Sequence, residues 1–259
     1  MQDLTVALLQ VPLGWENPKQ GLSQIQKFFQ SSQLPDADLY VLPEMFTTGF
    51  TMNASSCAED MQGPAIQWML GFSRDFGKYI SGTLIIEENG HRYNRLVLCG
   101  PEGLCGHYDK KHLFRMAGED APYTAGTHKF IYTIKGWRIS FWICYDLRFP
   151  IWMRNSGLSY DLAVVCANWP ERRVFHWDTL LKARAIENQS CVAGVNRTGM
   201  DGNDIPYSGH SILLDATGKS IAEAGESEGW VIGSFSHSEL LTYREKFAAW
   251  KDADAFTLD

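Results

Sequence analysis

The chain has 259 residues, 45% of them hydrophobic and 20% charged, which suits one large or two small globular units with a sizeable core. Its net charge of -7 lacks the basic excess of a phosphate-binding face, and the only adjacent basic pairs are Lys110-Lys111 and Arg172-Arg173, so no nucleic-acid partner is expected. No apolar run approaches about 18 residues, so no membrane span is expected, and the N-terminus lacks a basic start and a cleavage site, which makes a cytoplasmic location the expectation.

Residues 4–13 read as a strand, and 17–29 as a helix whose apolar positions are Leu22, Ile25 and Phe28-Phe29. Residues 38–43 form an apolar strand, with Glu44 just past its end. A helix is expected over 64–79, then strands over 79–87 and 92–98 joined at Asn89-Gly90, a strong hairpin signal. A second strand pair, 129–134 and 137–143, surrounds Lys135-Gly136. Residues 162–167 make a short apolar strand and 175–189 a helix. Strands follow at 191–195, 211–214, 219–224 and 230–235, with a turn at 215–218. A last helix over 238–247 has Ser236 or Ser238 to cap it. The tail, 248–259, shows no pattern. Strands and helices alternate without a linker or repeat, which predicts a single α/β domain over 1–259 with mixed sheets, two strand layers covered by helices.

Six cysteines are too sparse and irregular for a disulfide scaffold, and no CxxC pair suggests zinc. Cys99 and Cys166 lie in apolar runs and read as core. Cys144 differs. It ends the alternating run 137–143 and is followed by Tyr145-Asp146-Leu147-Arg148-Phe149-Pro150, a sharp turn toward a helix. A thiol on such an elbow sits near helix N-terminal amides, which favour its charged form. The same elbow is also an ordinary place for a small buried residue.

A thiol nucleophile needs a base and an oxyanion stabiliser. Among the seven histidines, His112 and His176 sit in informative segments and remain open as bases. Glu44, after so apolar a strand, is expected half-buried and suited to proton transfer. Lys110, in Tyr108-Asp109-Lys110-Lys111-His112-Leu113-Phe114, could stabilise an oxyanion and a thiolate. Glu44 alone and Lys110 alone are each more often a surface group.

Leu42-Pro43-Glu44, the stretch Tyr108–Phe114, the stretch Cys144–Pro150, and the later His176-Trp177 and Ala183-Arg184-Ala185-Ile186-Glu187-Asn188-Gln189 resemble, in order, the motifs of the nitrilase (carbon–nitrogen hydrolase) superfamily. The resemblance covers nearly the whole chain. It implies a four-layer αββα sandwich, with Cys144 as nucleophile, Glu44 as base and Lys110, two places before the histidine, as oxyanion holder in preference to Lys111. Glu119, seven residues before Gly126, matches a second active-site glutamate. Tyr-Asp-Leu-Arg after the cysteine, the modest length and Asn168-Trp169-Pro170 resemble the ω-amidase branch. That branch cleaves the terminal amide of 2-oxoglutaramate and 2-oxosuccinamate, by way of a thioester, to a 2-oxo acid and ammonia.

No metal or cofactor is implied; the partners are a small ω-amide and water. A homodimer is implied too, with Trp152, Met153, Trp177 and Leu180 partly at its interface and the tail 248–259 as a further candidate for it. For a substrate carboxylate the candidates are Arg148, Arg172 and Arg173, Arg148 being as readily an ion-pair partner of Asp146. Phe46, Tyr145 and Trp169 are expected to wall the pocket. The rival readings are an amidase for another small aliphatic amide, a nitrile hydrolase, and a silent thiol-bearing binding protein.

Overall fold

The computed structural model describes residues 2–32 and 34–257. In chain order the elements are β1 (Leu4–Gln10), α1 (Pro18–Phe29), β2 (Leu39–Val41), α2 (Ala54–Cys57), α3 (Pro64–Phe76), β3 (Tyr79–Glu88), β4 (His91–Gly100), β5 (Gly103–Asp109), β6 (Ile131–Ile134), β7 (Trp137–Ile143), α4 (Pro150–Met153), β8 (Leu162–Ala167), α5 (Val174–Asn188), β9 (Cys191–Asn196), β10 (Thr198–Met200), β11 (Pro206–Ser208), β12 (Ile212–Leu214), β13 (Ser220–Glu223), β14 (Gly229–Phe235) and α6 (His237–Lys246). Short 3₁₀ turns intervene, notably over Cys144–Arg148.

Among the described residues the strands form two six-stranded mixed sheets and one small hairpin, β10–β11. The first sheet runs β14-β1-β2-β3-β4-β5, with β1, β2 and β3 parallel and the outer pairings antiparallel. The second runs β6-β7-β8-β9-β12-β13 in the same pattern, with β7, β8 and β9 parallel. Strand periodicity explains how they pack. Val6 and Leu8 of β1 and Leu39 and Val41 of β2 point into one core, shared with Ile139, Phe141, Val164 and Ala193 of the second sheet. Their neighbours Ala7, Leu9, Tyr40 and Leu42 point the other way, onto Leu22 and Ile25 of α1 and Ile66 and Met69 of α3. On the far side, Trp177, Leu181 and Ala185 of α5 cover the second sheet. The result is the expected αββα sandwich.

The sequence reading of β7 matches its bounds, and the Asn89-Gly90 turn joins β3 to β4 with both residues at positive φ. The strands β5, β10 and β11 were not expected. Ser236 stands at the N-cap of α6, but its hydroxyl meets Ser238 and caps no backbone N–H. The tail is not wholly patternless: Ala249–Asp252 is a 3₁₀ turn whose Trp250 N–H donates to Gln189. Residues 258–259 of the tail lie outside the described residues. Trp152, Met153 and Trp177, expected partly at an interface, are buried in the chain's own core, and only Leu180 of that set is half-exposed.

Candidate active site

The site lies where β2, β5, β7 and β8 end. β7 leads into Cys144, whose φ of 44° is left-handed, an uncommon and strained setting for a residue with a side chain. The turn is held by Asp146. Its carboxylate accepts the N–H of Ile143 (3.1 Å), the N–H of His112 (3.0 Å), the His112 ring Nδ1–H (2.8 Å) and the Tyr108 hydroxyl (2.7 Å). The cysteine elbow and the lysine segment are therefore tied through one buried carboxylate. Arg184 of α5 donates to the Leu147 carbonyl from the other side. Gly126 fastens the lysine segment again: its N–H donates to the Lys110 carbonyl, and a Cβ there would fall 2.1 Å from the Asp109 oxygen.

Glu44, Lys110 and Glu119 are fully buried. Lys110 Nζ reaches Glu44 Oε1 at 2.8 Å and the two oxygens of Glu119 at 3.0 and 2.9 Å. Burial alone would pull the ammonium's pKa down; the charges of Glu119 and Glu44 outweigh it and hold Lys110 above its usual range. Burial pushes Glu119 up, with Lys110 opposing. Glu44 Oε2 accepts the Asn168 N–H at 2.8 Å, and the Asn168 side chain donates back to the Glu44 carbonyl. Cys144 Sγ donates to the Asn168 carbonyl at 3.8 Å, and burial, then the Glu44 charge, push the thiol well above its usual range. The resting group is thus a neutral thiol facing a carboxylate.

A cavity of about 430 Å³ opens onto Cys144 and Lys110. Tyr145, Trp169, Arg148, Arg172 and Arg173 all line it, as expected from the sequence. Phe46 does not. Met45 has a φ of 45°, and the turn sends Phe46 back under β3, buried beside Leu42, Trp68 and Gly82. Phe50 takes the place expected for it, with Lys110 Nζ 5.0 Å from its ring centre. Arg148 forms no ion pair with Asp146; it stacks on Trp169 at 4.7 Å and donates to His176 Nδ1. Neither histidine left open as a base meets the thiol: His112 is bound to Asp146 and stacked on Phe149, and His176 is an exposed partner of Arg148. Lys111 lies over Trp152, away from the carboxylates.

Residues the sequence did not single out include Phe114, Asp201 and Tyr207, which line the cavity, and Asn94, which is buried between the two glutamates. Asp201 and Tyr207 come from the β10–β11 hairpin and its loop, two three-residue strands with no apolar alternation to betray them. Among the described residues no cluster of three His, Cys, Asp or Glu is arranged to hold a metal ion, and no helix is long and apolar enough to cross a membrane.

The family model for carbon-nitrogen hydrolase matches residues 5–244. The chain is 44% identical over 261 aligned residues to the ω-amidase YafV of Escherichia coli strain K12, with all of both chains covered. It is 32% identical to the 2-oxoglutaramate amidase of Bacillus subtilis, over 96% of each. Among solved structures, the CN-hydrolase superfamily protein XC1258 of Xanthomonas campestris, which carries an arsenic adduct in its active site, matches with a TM-score of 0.96 and 38% identity over the full length of both chains. With its motifs gathered at one cavity and its full length aligned to such relatives, the chain belongs to the carbon–nitrogen hydrolase family.

Proposed function

We propose that the protein is an ω-amidase that hydrolyses the terminal amide of 2-oxoglutaramate or 2-oxosuccinamate to the 2-oxo dicarboxylic acid and ammonia. The observation that carries this reading is the charge at the cavity. The cavity is lined by the thiol and by Lys110, which holds Glu44, and by Arg148, Arg172 and Arg173, and no carboxylate pairs with any of the three guanidinium groups among the described residues. Burial, then the neighbouring charge of Arg172, pull the Arg173 pKa below its usual range, and Arg148 adds to this. Two carboxylates, Glu16 and Asp201, also line the cavity but are bound to Thr51 and Asn53 and to Tyr207, so the three arginines are left for an anionic ligand, without an ion-pair partner of their own. An amide at one end and a carboxylate at the other fit the cavity. The names of the relatives from Escherichia coli and Bacillus subtilis support the same substrate class.

The chemistry follows from the contacts. Glu44 takes the thiol proton of Cys144, and the thiolate attacks the amide carbon. The oxyanion is held by Lys110 Nζ and by the N–H of Tyr145, in the open first turn of the 3₁₀ segment. Glu44 returns the proton to the nitrogen, the C–N bond breaks, and ammonia leaves a thioester. Glu44 then takes a proton from water, whose oxygen attacks the thioester. The carboxylic acid departs and the thiol is restored. Glu119 grips Lys110 throughout. The chain, 1–259, acts as one hydrolase domain, cytoplasmic and homodimeric. Exposed Ile151, Phe175 and Ile186 on α4 and α5 support a partner copy there, since 75% of Phe175 faces solvent in the single chain.

Ammonia release from 2-oxoglutaramate, glutaramate and glutamine, assayed side by side, tests the reading. The first is expected to be the fastest; equal rates on all three would remove the ω-amidase assignment. Arg173→Met is expected to raise KM for 2-oxoglutaramate roughly 10- to 100-fold, the loss of one charge-assisted contact, with kcat little changed. For a neutral amide such as butyramide, kcat/KM should hold steady. A parallel drop on both substrates would assign Arg173 to the scaffold.

A further inference from the structure

A chain of hydrogen bonds runs from the backbone beside Glu44 to both active-site carboxylates. The N–H of Met45 donates to Thr83 Oγ1 at 2.7 Å. That hydroxyl donates to Asn94 Oδ1 at 3.0 Å. The Asn94 amide nitrogen then donates to Glu44 Oε1 at 2.8 Å and to Glu119 Oε1 at 3.1 Å. Thr83 and Asn94 are both completely buried, on the face of the first sheet that meets the second. An amide turned the other way would set its oxygen against two carboxylates, so the network admits only one orientation.

Counting lone pairs shows what this chain does to Glu44. Oε1 receives two donors, Asn94 and Lys110, and is saturated. Oε2 receives only the Asn168 N–H. The remaining acceptor site, the one able to take a proton from sulfur, is therefore on Oε2. Asn94 also keeps the two carboxylates, which share one lysine, at fixed separate positions. Remove it, and Glu44 keeps only Lys110 on Oε1 and the Asn168 N–H on Oε2, while Glu119 keeps only Lys110 and the Phe114 N–H; Oε1 then has a free acceptor site of its own, and the two carboxylates lose the donor that joins them.

We propose that Asn94, aimed by the Thr83 hydroxyl, is a positioning residue that presents Oε2 of Glu44 to Cys144 and separates the base from Glu119. This rests on the reading of Glu44 as the base. Thr83 is the sharper place to test it, because valine has nearly the shape of threonine and removes only the hydroxyl. Two rates would be measured on the full-length protein: kcat and KM for 2-oxoglutaramate, and the alkylation of Cys144 by iodoacetamide, which needs no amide turnover. Thr83→Val is expected to lower both kcat and the alkylation rate roughly 10-fold with KM within about twofold, as for the loss of one hydrogen bond in a buried polar chain. Thr83→Ser should restore both. Asn94→Ala should cost roughly 100-fold, because it strips a donor from each of two charged groups. Thr83→Val with both rates within twofold of the unaltered protein would overturn the proposal. So would a Thr83→Ser variant as slow as Thr83→Val, since that would trace the loss to packing. Glu44→Gln measured beside them separates the two readings: if alkylation ignores Glu44, the base assignment fails, and Asn94 no longer has a base to position.

Discussion

Cys144→Ser is expected to retain less than about one part in 10⁴ of kcat on 2-oxoglutaramate, in the range found when a catalytic nucleophile is removed. The change is a single atom, and the elbow imposed by Asp146 and Arg184 should survive it. What fails is the chemistry. Even the thiol is held protonated by burial and by the charge of Glu44, so its proton must be extracted at the moment of attack. An alcohol is a far weaker acid, and a carboxylate base is poorly matched to it. Intact-mass measurement during turnover checks the intermediate: the unaltered enzyme should gain the mass of an acyl group at Cys144 and the variant should gain none. Substantial turnover by the serine variant without a trapped acyl species would remove Cys144 from the nucleophile's role.

Glu44→Gln should lower kcat by about 10³-fold, within the range for loss of a general base, while leaving the protein folded. The lost charge itself is tolerated, because the substitution removes one of the two negative charges around Lys110, and the stability cost is expected to stay within about 1–3 kcal/mol, that of one unsatisfied buried donor. The pair that remains, Lys110 with Glu119, is balanced. Lys110→Met is the contrasting case: it strands two buried carboxylates and is expected to cost roughly 3–5 kcal/mol of stability as well as activity. The glutamine amide cannot satisfy the site that the carboxylate did. Asn94, Lys110 and the Asn168 N–H all donate to Glu44, so an –NH₂ must confront at least one donor. Single-turnover kinetics locate the defect. Acylation should slow, because no group takes the thiol proton or returns one to ammonia. A Glu44→Gln enzyme with acylation at the unaltered rate would mean that another group serves as base.

Cys144 and Glu44 stand out in the sequence because each follows a strand with a clear apolar pattern, and Lys110 because it sits in an ordered series of motifs with them; the structure gathers the three side chains together. The hairpin at Asn89-Gly90 and the extent of β7 were legible for a similar reason: local chemistry and periodicity agree there. Phe46 was misread because its neighbour Met45 adopts a positive φ, a backbone reversal that residue type does not announce. β5 was missed because Gly103-Leu104-Cys105-Gly106-His107-Tyr108-Asp109 carries two glycines and little apolar alternation; its strand character comes from pairing with β4. Asn94 was invisible because a buried amide in a strand looks like any polar residue until its partners, 50 and 25 positions away, are placed. Sequence leaves His112 and His176 open as bases because it does not show that Asp146 claims one and Arg148 the other.

The two sheets divide the site between them. The first supplies Glu44, Asn94 and Lys110 at or just beyond its strands, and the loop after β5 adds Glu119; the second supplies Cys144 and Asn168. Neither half holds both the sulfur and the carboxylate proposed to deprotonate it. With the halves held apart, the sulfur and the carboxylates lie on separate surfaces, so the site is complete only where the two sheets are packed together. Turnover is thereby a readout of how the two layers pack: whatever parts the sheets also parts the sulfur from its carboxylate.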